Sequence, residues 1–493
     1  MLLHVPEKEG PMRHGLFRRL ALLGLLVLAG AAFAPAANAG NYLVLYKQQS
    51  VASGAGATIR NAGGSVLASY PEIGVVIAHS NSASFRSNLL KDARIWGAAS
   101  TAGMGVQVDD AGLEASGPPI GDLPNFPAND SAEPLFPLQW DMRQIHTPEA
   151  HAITGGSPEV LVGDIDTGLD FTHPDLAPNY DPANSTDCSS GAPAPLLPGN
   201  DVFGHGTHTA GTIAAAQNGI GIVGVAPRVK IAGIKSSNNA GFFFPEMVVC
   251  SFMWAGTHGI DVTNNSYFAD PWYFNCKNDP EQRAIWVAEQ RAIKFAMNRG
   301  VIVVAAAGNF SDDLAHPTRD IISPDTGPGI PRDVTNACAV VPVEVPGVIG
   351  VSADGNLRIK SFYSSYGSGV VQVVAPGGDS ILQRTAEAPN GRVLSTVPGG
   401  GWAYAQGTSM ATPHVTGVAA LIESRYGPLS RGRVTAMVAQ TADPIACPDA
   451  VTLALYDPFP SFSNEEPQSC QGGAGYNSWY GHGQVNALSA VTR

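Results

Sequence analysis

The amino-acid sequence predicts an α/β protein in which a mainly parallel β-sheet lies between layers of helices, with a small α/β unit before it. Short, mainly apolar runs occur at 160–165, 229–234, 301–307 and 348–351, and helical patterns separate them. Strands without polar alternation are buried on both faces, as in parallel sheets covered by helices. The chain is 44% hydrophobic and 14% charged, which is typical of a globular protein with a large core.

The N-terminus has the pattern of an export signal. Basic residues precede an apolar run at 20–33, and Ala37 and Ala39 provide a small-x-small cleavage site. The run is shorter than the about 20 residues that a membrane-spanning helix needs. We therefore predict a signal peptide over 1–39, with Met12 as an alternative start. The mature protein is expected to be secreted, either extracellular or periplasmic, and to have no membrane partner after signal removal.

Composition divides the exported chain into three parts. Residues 40–116 are predicted to form the small α/β unit. Their strand-like and helix-like runs lie at 42–46, 74–78 and 80–92. Residues 117–137 are rich in proline, which is typical of linkers and of processing sites. Residues 138–493 are predicted to form the main domain, with a C-terminal extension from about 444.

Charge and cysteine content limit the function classes. The net charge of −13 disfavours nucleic acid and anionic membranes as partners. An even number of cysteines in an exported chain predicts disulfides, and the sequence has no Cys-x-x-Cys pair that would suggest a zinc site. Among the many pairings that these cysteines allow, spacing favours Cys250 with Cys276, Cys447 with Cys470 and Cys188 with Cys338.

Three motifs each place one polar residue at the end of a buried element. Asp166 follows the apolar run at 160–165 and precedes Thr-Gly. His205 lies in Gly-His-Gly-Thr-His, where small residues let a helix pack closely. Ser409 lies in Gly-Thr-Ser-Met-Ala-Thr-Pro and leads into an apolar helix. Because the carboxyl ends of the strands in an α/β sheet face the ligand crevice, these residues are candidates for a shared site.

Together the three motifs resemble the signatures of the subtilisin family, in the family's chain order of Asp, His and Ser. The resemblance runs from roughly 139 to 441 and implies the subtilisin-like three-layer fold. It also implies a serine endopeptidase that acts on a protein or peptide substrate. His205 would be the general base, Asp166 would orient it, and Ser409 would carry the acyl group. Asn309, at the end of a strand-like run, would donate to the oxyanion.

The resemblance also assigns a peptide-binding edge. Ser266 matches the serine that pairs with the substrate backbone. Tyr267, Phe268 and Ala269 follow it, where many relatives have Leu-Gly-Gly. We therefore predict a subsite rich in aromatic surface, formed by Phe243 and Tyr267.

A structural calcium ion is the one cofactor that the resemblance implies, and no organic cofactor is expected. Asp175 and Asn218 match the calcium loop of the family, where carboxylate, amide and carbonyl oxygens suit a hard cation. Oxygen ligands on loops also occur without any ion, so this alternative stays open.

The segment 40–116 resembles a propeptide that assists folding and blocks the cleft, so the chain's own propeptide is a predicted partner of a monomeric enzyme. Sedolisins share the fold but have Glu where this chain has His205. A catalytically silent, peptide-binding protein of the same fold is the alternative function, although Asp166, His205, Ser409 and Asn309 are all present. A lipase elbow requires Gly where this chain has Ala411.

Two further polar residues need an explanation. Asp164 interrupts an apolar strand two residues before Asp166, and a buried carboxylate needs a partner or a proton. Lys235 and Arg228 are candidate partners, and a structural pairing is favoured over a catalytic role. His208 lies three residues after His205, but no third metal ligand follows it in the sequence, so it is interpreted as structural.

Overall fold

The computed structural model describes residues 40–101, 133–270, 272–324 and 329–493. The predicted signal peptide and most of the predicted linker lie outside the described residues. Among the helices of these residues, none combines the length and the apolar character that a membrane span requires.

Residues 40–101 form the small α/β unit that the sequence predicts. Its elements are β1 (Gly40–Tyr46), α1 (Ala55–Ala62), β2 (Gly64–Tyr70), β3 (Val75–Ser80), α2 (Phe85–Leu89) and β4 (Ile95–Ser100). The four strands pair antiparallel in the order β2-β3-β1-β4. The strand predictions are confirmed, whereas the helix predicted over 80–92 forms only at Phe85–Leu89.

The two faces of this small sheet pack against different partners. Because side chains alternate along a strand, Tyr42 and Val44 of β1 face the unit's own core, which includes Ile59 of α1 and Phe85 of α2. Leu43 lies on the other face and belongs to the core of the main domain. The unit is therefore built to bury one sheet face in the domain that follows it.

The main domain alternates strands and helices through most of its length. Its elements up to the second half of the domain are α3 (Trp140–Gln144), α4 (Thr147–His151), β5 (Leu161–Asp166), β6 (Thr186–Asp187), α5 (His205–Ala214), β7 (Lys230–Lys235), α6 (Pro245–Ala255), β8 (Val262–Asn265), β9 (Asn275–Cys276) and α7 (Pro280–Asn298). The elements that follow are β10 (Ile302–Ala306), β11 (Arg319–Asp320), β12 (Arg332–Asp333), β13 (Cys338–Ala339), β14 (Ile349–Asp354), β15 (Val371–Pro376), β16 (Val393–Val397), β17 (Gly401–Ala405), α8 (Thr408–Tyr426) and α9 (Arg431–Gln440).

A seven-stranded parallel sheet forms the middle layer, in the order β15-β14-β10-β8-β5-β7-β6. On one face, residues such as Leu161 and Val303 share a core with α6 and α7. On the other face, residues such as Val162 and Val304 share a core with α5 and α8. The three-layer α/β fold and its four apolar strands are therefore confirmed.

The order of the strands places a crevice at the end of β5. After β5 the chain goes to the edge strand β6 and returns through β7 on one side, and it then crosses to the other side and runs outward through β8, β10, β14 and β15. In open parallel sheets, ligands bind at the carboxyl ends of the strands where this direction reverses. Asp166 ends β5, and Ser266 directly follows β8, so both lie at this point.

The disulfide pairing differs from the one that spacing favours. The disulfides are Cys188–Cys250, Cys276–Cys338 and Cys447–Cys470, so only the last of the three expected pairs is confirmed. Strand pairing explains the difference at Cys276, because β9 and β13 run antiparallel with Cys276 opposite Cys338. Sequence distance carries no information about such pairing across a sheet.

The last fifty residues form a C-terminal extension that packs on the sheet. Its elements are α10 (Ala450–Leu453), β18 (Gly472–Gly473), β19 (Tyr476–Asn477) and α11 (Ala487–Thr492). Backbone bridges join Val373 to Gly481 and Val374 to Gln484, which connects the extension to β15. The extension is therefore part of the domain.

Candidate active site

Asp166 and His205 form a buried pair at the carboxyl edge of the sheet. His205 is the first residue of α5, and its Nδ1 lies 2.6 Å from Asp166 Oδ1. Both side chains have no exposed surface. Because an ionised carboxylate only accepts hydrogen bonds, Nδ1 carries the hydrogen and Nε2 is left as the basic nitrogen. The pair thus sets the tautomer that a general base requires.

A second carboxylate, which the sequence interpretation missed, organises the start of α5. Asp201 is buried, and its Oδ1 accepts from Gly204 N at 2.9 Å and from Thr167 Oγ1 at 2.8 Å. Its Oδ2 accepts from Thr207 N at 2.8 Å and from Thr207 Oγ1 at 2.6 Å. Carboxylates at a helix N-terminus satisfy free N–H groups there. Asp201 therefore holds the helix that carries His205, and its position three residues before Gly204 was the available signal.

The close packing around Gly206 explains why a small residue follows His205. A Cβ on Gly206 would lie 2.1 Å from Gly168 O and 3.1 Å from the Asp166 side chain. Any larger residue would push α5 away from β5 and break the alignment of Asp166 with His205.

Ser409 is held by a reciprocal contact with Ser266. Its Oγ donates to Ser266 O at 3.0 Å, and Ser266 Oγ donates to Ser409 O at 2.9 Å. The second bond has a local cause, because Pro413 lies inside α8 and has no N–H for the carbonyl four residues earlier. Ser266 supplies that missing donor, so the proline and the serine together fix the first turn of α8.

The side-chain amide of Asn309 lies near Ser409 and has a defined orientation. Thr408 N and Thr408 Oγ1 each donate to Asn309 Oδ1 at 2.9 Å. A backbone N–H is always a donor, so the atom that faces it must be the amide oxygen. The amide nitrogen, with both of its hydrogens, is therefore directed away from Thr408 and is available to an anion.

The hydrogen-bond partners of Asp164 are uncharged. The prediction that Lys235 or Arg228 would pair with this carboxyl group is therefore wrong. Thr209 Oγ1 donates to Asp164 Oδ2 at 2.9 Å, and Asn264 Nδ2 donates to Oδ1 at 2.9 Å. Lys235 instead donates to Thr167 O and Asn200 O, and Arg228 N donates to Gly155 O. Burial, followed by the nearby charge of Asp166, raises the pKa of Asp164 well above its ordinary value. Hydrogen bonds from Thr209 and Asn264 oppose this shift by stabilising the carboxylate form.

His208 is a packed histidine. Its Nε2 lies 3.1 Å from Ala403 O, and burial lowers its pKa to about 3. A neutral imidazole that donates to a backbone carbonyl agrees with the structural interpretation of this residue.

A mostly apolar cavity of about 490 Å³, counted with its open mouth, lies beside Ser409. Phe268, Phe310 and Val340 are among the apolar residues that line it, and the predicted substrate residues Ser266, Phe243 and Tyr267 line it as well. Phe243 and Tyr267 are only 1% and 4% exposed, and their rings stack with centroids 4.2 Å apart. The two rings lie mostly behind the surface of the cavity, so their role in substrate binding stays a prediction.

The loop that resembles a calcium site holds two buried carboxylates. Asp175 Oδ2 accepts from Ile222 N at 3.1 Å and from Trp402 Nε1 at 2.9 Å, and burial raises the Asp175 pKa to about 6. Glu133, which the sequence interpretation missed, is buried and accepts from Gly219 N at 2.9 Å. Asn218 Nδ2 donates to Pro174 O at 3.1 Å.

The donor chemistry of this loop suits a hard cation. Asp175 Oδ1 is buried and accepts no hydrogen bond from any described residue. Oxygen ligands from Asp175 and Glu133, completed by backbone carbonyls, are of the kind that Ca²⁺ prefers. No group of three or more His, Cys, Asp or Glu side chains with metal-site spacing occurs in the described part of the chain, so side chains alone would not complete the shell.

The fold and the site define an α/β protein with an Asp–His pair, an anchored amide and a serine at one edge of a parallel sheet. Comparison with known proteins identifies the family to which this protein belongs. The model of the subtilase family matches residues 157–483, and the chain belongs to that family.

Relatives and solved structures agree with this assignment. The chain is 33% identical to the M-protease of Shouchella clausii over 295 residues, which is 58% of this chain and 60% of that protein. It is 32% identical to subtilisin Savinase of Lederbergia lenta, covering 58% of this chain and 85% of that protein. The match thus spans less than two thirds of the M-protease.

Among solved structures, the epidermin leader peptide processing serine protease of Staphylococcus aureus superimposes with a TM-score of 0.66 at 22% identity, covering 92% of this chain and 98% of that one. A protease of Pseudoalteromonas arctica superimposes with a TM-score of 0.52 at 25% identity, covering 74% of this chain and 99% of that one. These structures share the fold.

Proposed function

We propose that this protein is a secreted serine endopeptidase that is made as a precursor and hydrolyses peptide bonds through an acyl-enzyme. The observation that carries the proposal is the 2.6 Å contact between His205 Nδ1 and Asp166 Oδ1 at the end of β5. The hydrogen bond from Ser409 Oγ to Ser266 O, directly after the neighbouring strand β8, supports a site shared with Ser409. Membership of the subtilase family supports it.

In the proposed reaction, Ser409 Oγ turns from Ser266 O and attacks the carbonyl carbon of the scissile amide while His205 Nε2 takes its proton. The C–N bond then breaks, and His205 returns the proton to the departing amine. A water molecule, activated by the same imidazole, hydrolyses the ester on Ser409 and regenerates the enzyme. Asp166 stabilises the imidazolium that forms in each half.

Asn309 and the backbone N–H of Ser409 would stabilise the oxyanion. The amide orientation set by Thr408 supports this role, because donors that are already oriented need no rearrangement in the transition state. Loss of one such donor lowers kcat by roughly 100- to 1,000-fold in subtilisin itself, a member of this family and the source of that magnitude. We expect Asn309→Ala to have a loss of that order, with KM little changed.

We further propose that the segment 40–116 is the propeptide. The described part of it, 40–101, shares a hydrophobic core with α6 and α7, and Asn41 Nδ2 donates to Glu246 at 2.9 Å. Arg291 of α7 donates to Tyr46 O and Ile73 O at 3.0 and 3.1 Å. A unit that covers two helices of the domain in this way can assist their packing during folding.

Export and a calcium ion complete the proposal. The three disulfides support an oxidising compartment outside the cytoplasm. Asp175 and Asn218, with Glu133 beside them, would hold the calcium ion, which would stabilise the loop at 218–222. Added calcium should raise Tm in a Ser409→Ala background, and Asp175→Asn should remove this response.

The alternative is a catalytically silent protein that binds peptides. Intact mass of the secreted protein and of its Ser409→Ala variant distinguishes the two, after incubation with an unstructured peptide and a serine-directed phosphonate. An endopeptidase loses its N-terminal segment, cleaves the peptide and gains the mass of the inhibitor, and Ser409→Ala does none of these. If the parent also stays full length and unlabelled, the binding protein is the better description.

A further inference from the structure

A second concavity adjoins the cavity beside Ser409, and the C-terminal extension forms one of its walls. It measures about 830 Å³ with its open side included. The wall from the main domain includes Asn309, Phe310 and Phe362, and the wall from the extension includes Pro458, Phe459 and Phe462. Asn309 and Phe310 line the first cavity as well, so the two concavities adjoin at these residues.

The extension is tied firmly to the loop that follows Asn309. Phe462 N donates to Phe310 O at 2.9 Å. Ser461 Oγ and Ser463 Oγ donate to the two carboxylate oxygens of the buried Asp312, at 2.5 and 2.6 Å. These bonds hold the groove wall in register with the oxyanion residue, so the groove is a preformed surface.

Several aromatic rings that line this groove are partly exposed. The Phe462 side chain is 57% exposed, and its ring centroid lies 5.8 Å from that of Phe310. Phe459 and Phe362 are half-buried, with centroids 4.9 Å apart. Exposed apolar surface that is contiguous and adjoins a candidate active site marks a binding surface.

The position of the groove relative to Ser266 indicates which part of a peptide it receives. Ser266 and Tyr267 line the cavity that would take the residue whose carbonyl is attacked, and neither lines the groove. Among the described residues, the groove shares only Asn309 and Phe310 with that cavity, so it lies beside the oxyanion residue and not beside Ser266. An extended chain that passes Ser409 would therefore enter it with the residues that follow the scissile bond.

We propose that Phe459 and Phe462 of the extension form a subsite for the leaving side of the substrate, which selects an aromatic or bulky apolar residue within about three positions after the cleaved bond. This proposal rests on the peptidase function proposed above. Glu465 also lines the groove, so an acidic side chain is disfavoured at this subsite.

Paired substrates with one common acyl part test the subsite. One set of peptides carries Phe or Ser at each of the first three positions after the bond, and the reference substrate is a methyl ester, which has no residue there. We expect the parent to favour Phe over Ser about tenfold in kcat/KM at one position, as burial of an aromatic ring predicts. The double variant Phe459→Ala/Phe462→Ala should lose this preference and hydrolyse the methyl ester within twofold of the parent.

The control variant is Val451→Ala/Leu455→Ala, because both side chains are exposed on the same extension and neither lines the groove. It should retain the preference for Phe. Equal loss on all substrates in the groove variant, or no preference for Phe at any position in the parent, would overturn the subsite, while methyl ester hydrolysis by the parent shows that the peptidase is intact. A parent that hydrolyses no substrate would overturn the proposed function as well.

Discussion

The N-terminal unit, 40–101, and the C-terminal extension, 444–493, both pack on the main domain, but they are attached differently. The N-terminal unit has its own core and its own sheet, and it contacts the domain through side chains. Its sequence has no cysteine, so no disulfide can join it to the domain. The contact that it makes at Glu246 includes a carboxylate with a pKa raised by burial.

The C-terminal extension has no separate sheet of that size and is interlocked with the domain. Its Trp479, Tyr456 and Tyr480 share a hydrophobic cluster with Tyr366 and Val374 of the domain. The Cys447–Cys470 disulfide closes a loop within the extension.

Lys360 of the domain is enclosed by this cluster. It has no exposed surface, and its Nζ lies 5.1 Å from the ring centroid of Trp479 and 5.4 Å from that of Tyr456. Nζ also donates to Ser361 O at 3.0 Å and Ser364 O at 2.7 Å. Burial lowers the pKa of Lys360 well below its ordinary value, while the ring faces and carbonyls favour the charged form.

The difference indicates what each attachment is for. A unit with its own core and a side-chain interface can leave without exposing the sheet of the domain. An extension that bridges β15 and encloses Lys360 cannot leave without unfolding part of the domain. The N-terminal unit therefore fits a removable segment, and the C-terminal extension fits a permanent one.

The largest expected effect is at Trp479. Trp479→Ala should lower the free energy of unfolding by roughly 3–5 kcal/mol, because it opens a cavity and leaves Ser469 O without its indole donor. Denaturant unfolding in a Ser409→Ala background, which prevents self-digestion, measures this. Trp479→Phe is the matched control and should cost less. A loss below about 1 kcal/mol for Trp479→Ala would mean that the extension is not integral to the domain.

The disulfide of the extension comes next. Replacing Cys447 and Cys470 by Ser removes a link across 23 residues of sequence, which should cost about 3 kcal/mol on the chain-entropy model. Limited proteolysis of this variant should begin within the extension, and docking of the N-terminal unit should not change. Cleavage that begins instead in 40–101 would contradict the inference that this disulfide stabilises the extension and not the N-terminal unit.

A smaller effect is expected from pH at the N-terminal interface. Burial raises the pKa of Glu246 in the docked state, and release of the unit would return it towards its ordinary value. The docked state therefore binds a proton more tightly. Docking should be strongest below the ordinary carboxyl pKa and should weaken as the pH rises through the raised pKa, by at most about 1.4 kcal/mol per pH unit.

The dissociation constant of the unit, measured against pH after cleavage of the linker in a Ser409→Ala background, tests this dependence. Glu246→Gln stays neutral at every pH, so it should flatten the curve. An unchanged curve for Glu246→Gln, or tighter docking at higher pH, would rule out Glu246 as the cause.

The smallest effect is expected at the rim of the same interface. Arg86 Nε lies 3.3 Å from Glu281 Oε1, and the two side chains are 33% and 48% exposed. Exposed ion pairs contribute little, so Glu281→Gln should change the docking free energy by less than about 0.5 kcal/mol. Titration of the two parts by calorimetry is sensitive enough to check this. A change above 1 kcal/mol would mean that the rim contributes more to the docking free energy than the buried sheet face does.

Much of the fold followed from local pattern. Four of the seven parallel strands were visible as apolar runs because both faces of the sheet are buried, as at Val162 and Leu161 of β5. The polar ends of those runs marked Asp166 and Asn309, and the small residues around His205 indicated close helix packing, which the approach of Gly206 to Gly168 O explains. Elements of the N-terminal unit with mixed polarity, such as α1 and β2, gave no such signal.

Contacts between distant segments could not be predicted from pattern. The cysteine pairing, the uncharged partners of Asp164 and the role of Asp201 all depend on which loops meet in space. Phe243 was expected to offer ring surface, but alternation along 242–244 turns it inward and leaves Phe242 and Phe244 half-exposed.

The sequence by itself determined the alternation of strands and helices in the main domain and the chemical type of the residues at the ends of its apolar strands, because burial and helix termini impose local periodicity and local polarity. Only the tertiary structure decided that residues 458–463 lie against the loop after Asn309. That contact joins segments about 150 residues apart, as the bond from Ser461 to Asp312 does, and no local preference of either segment specifies it.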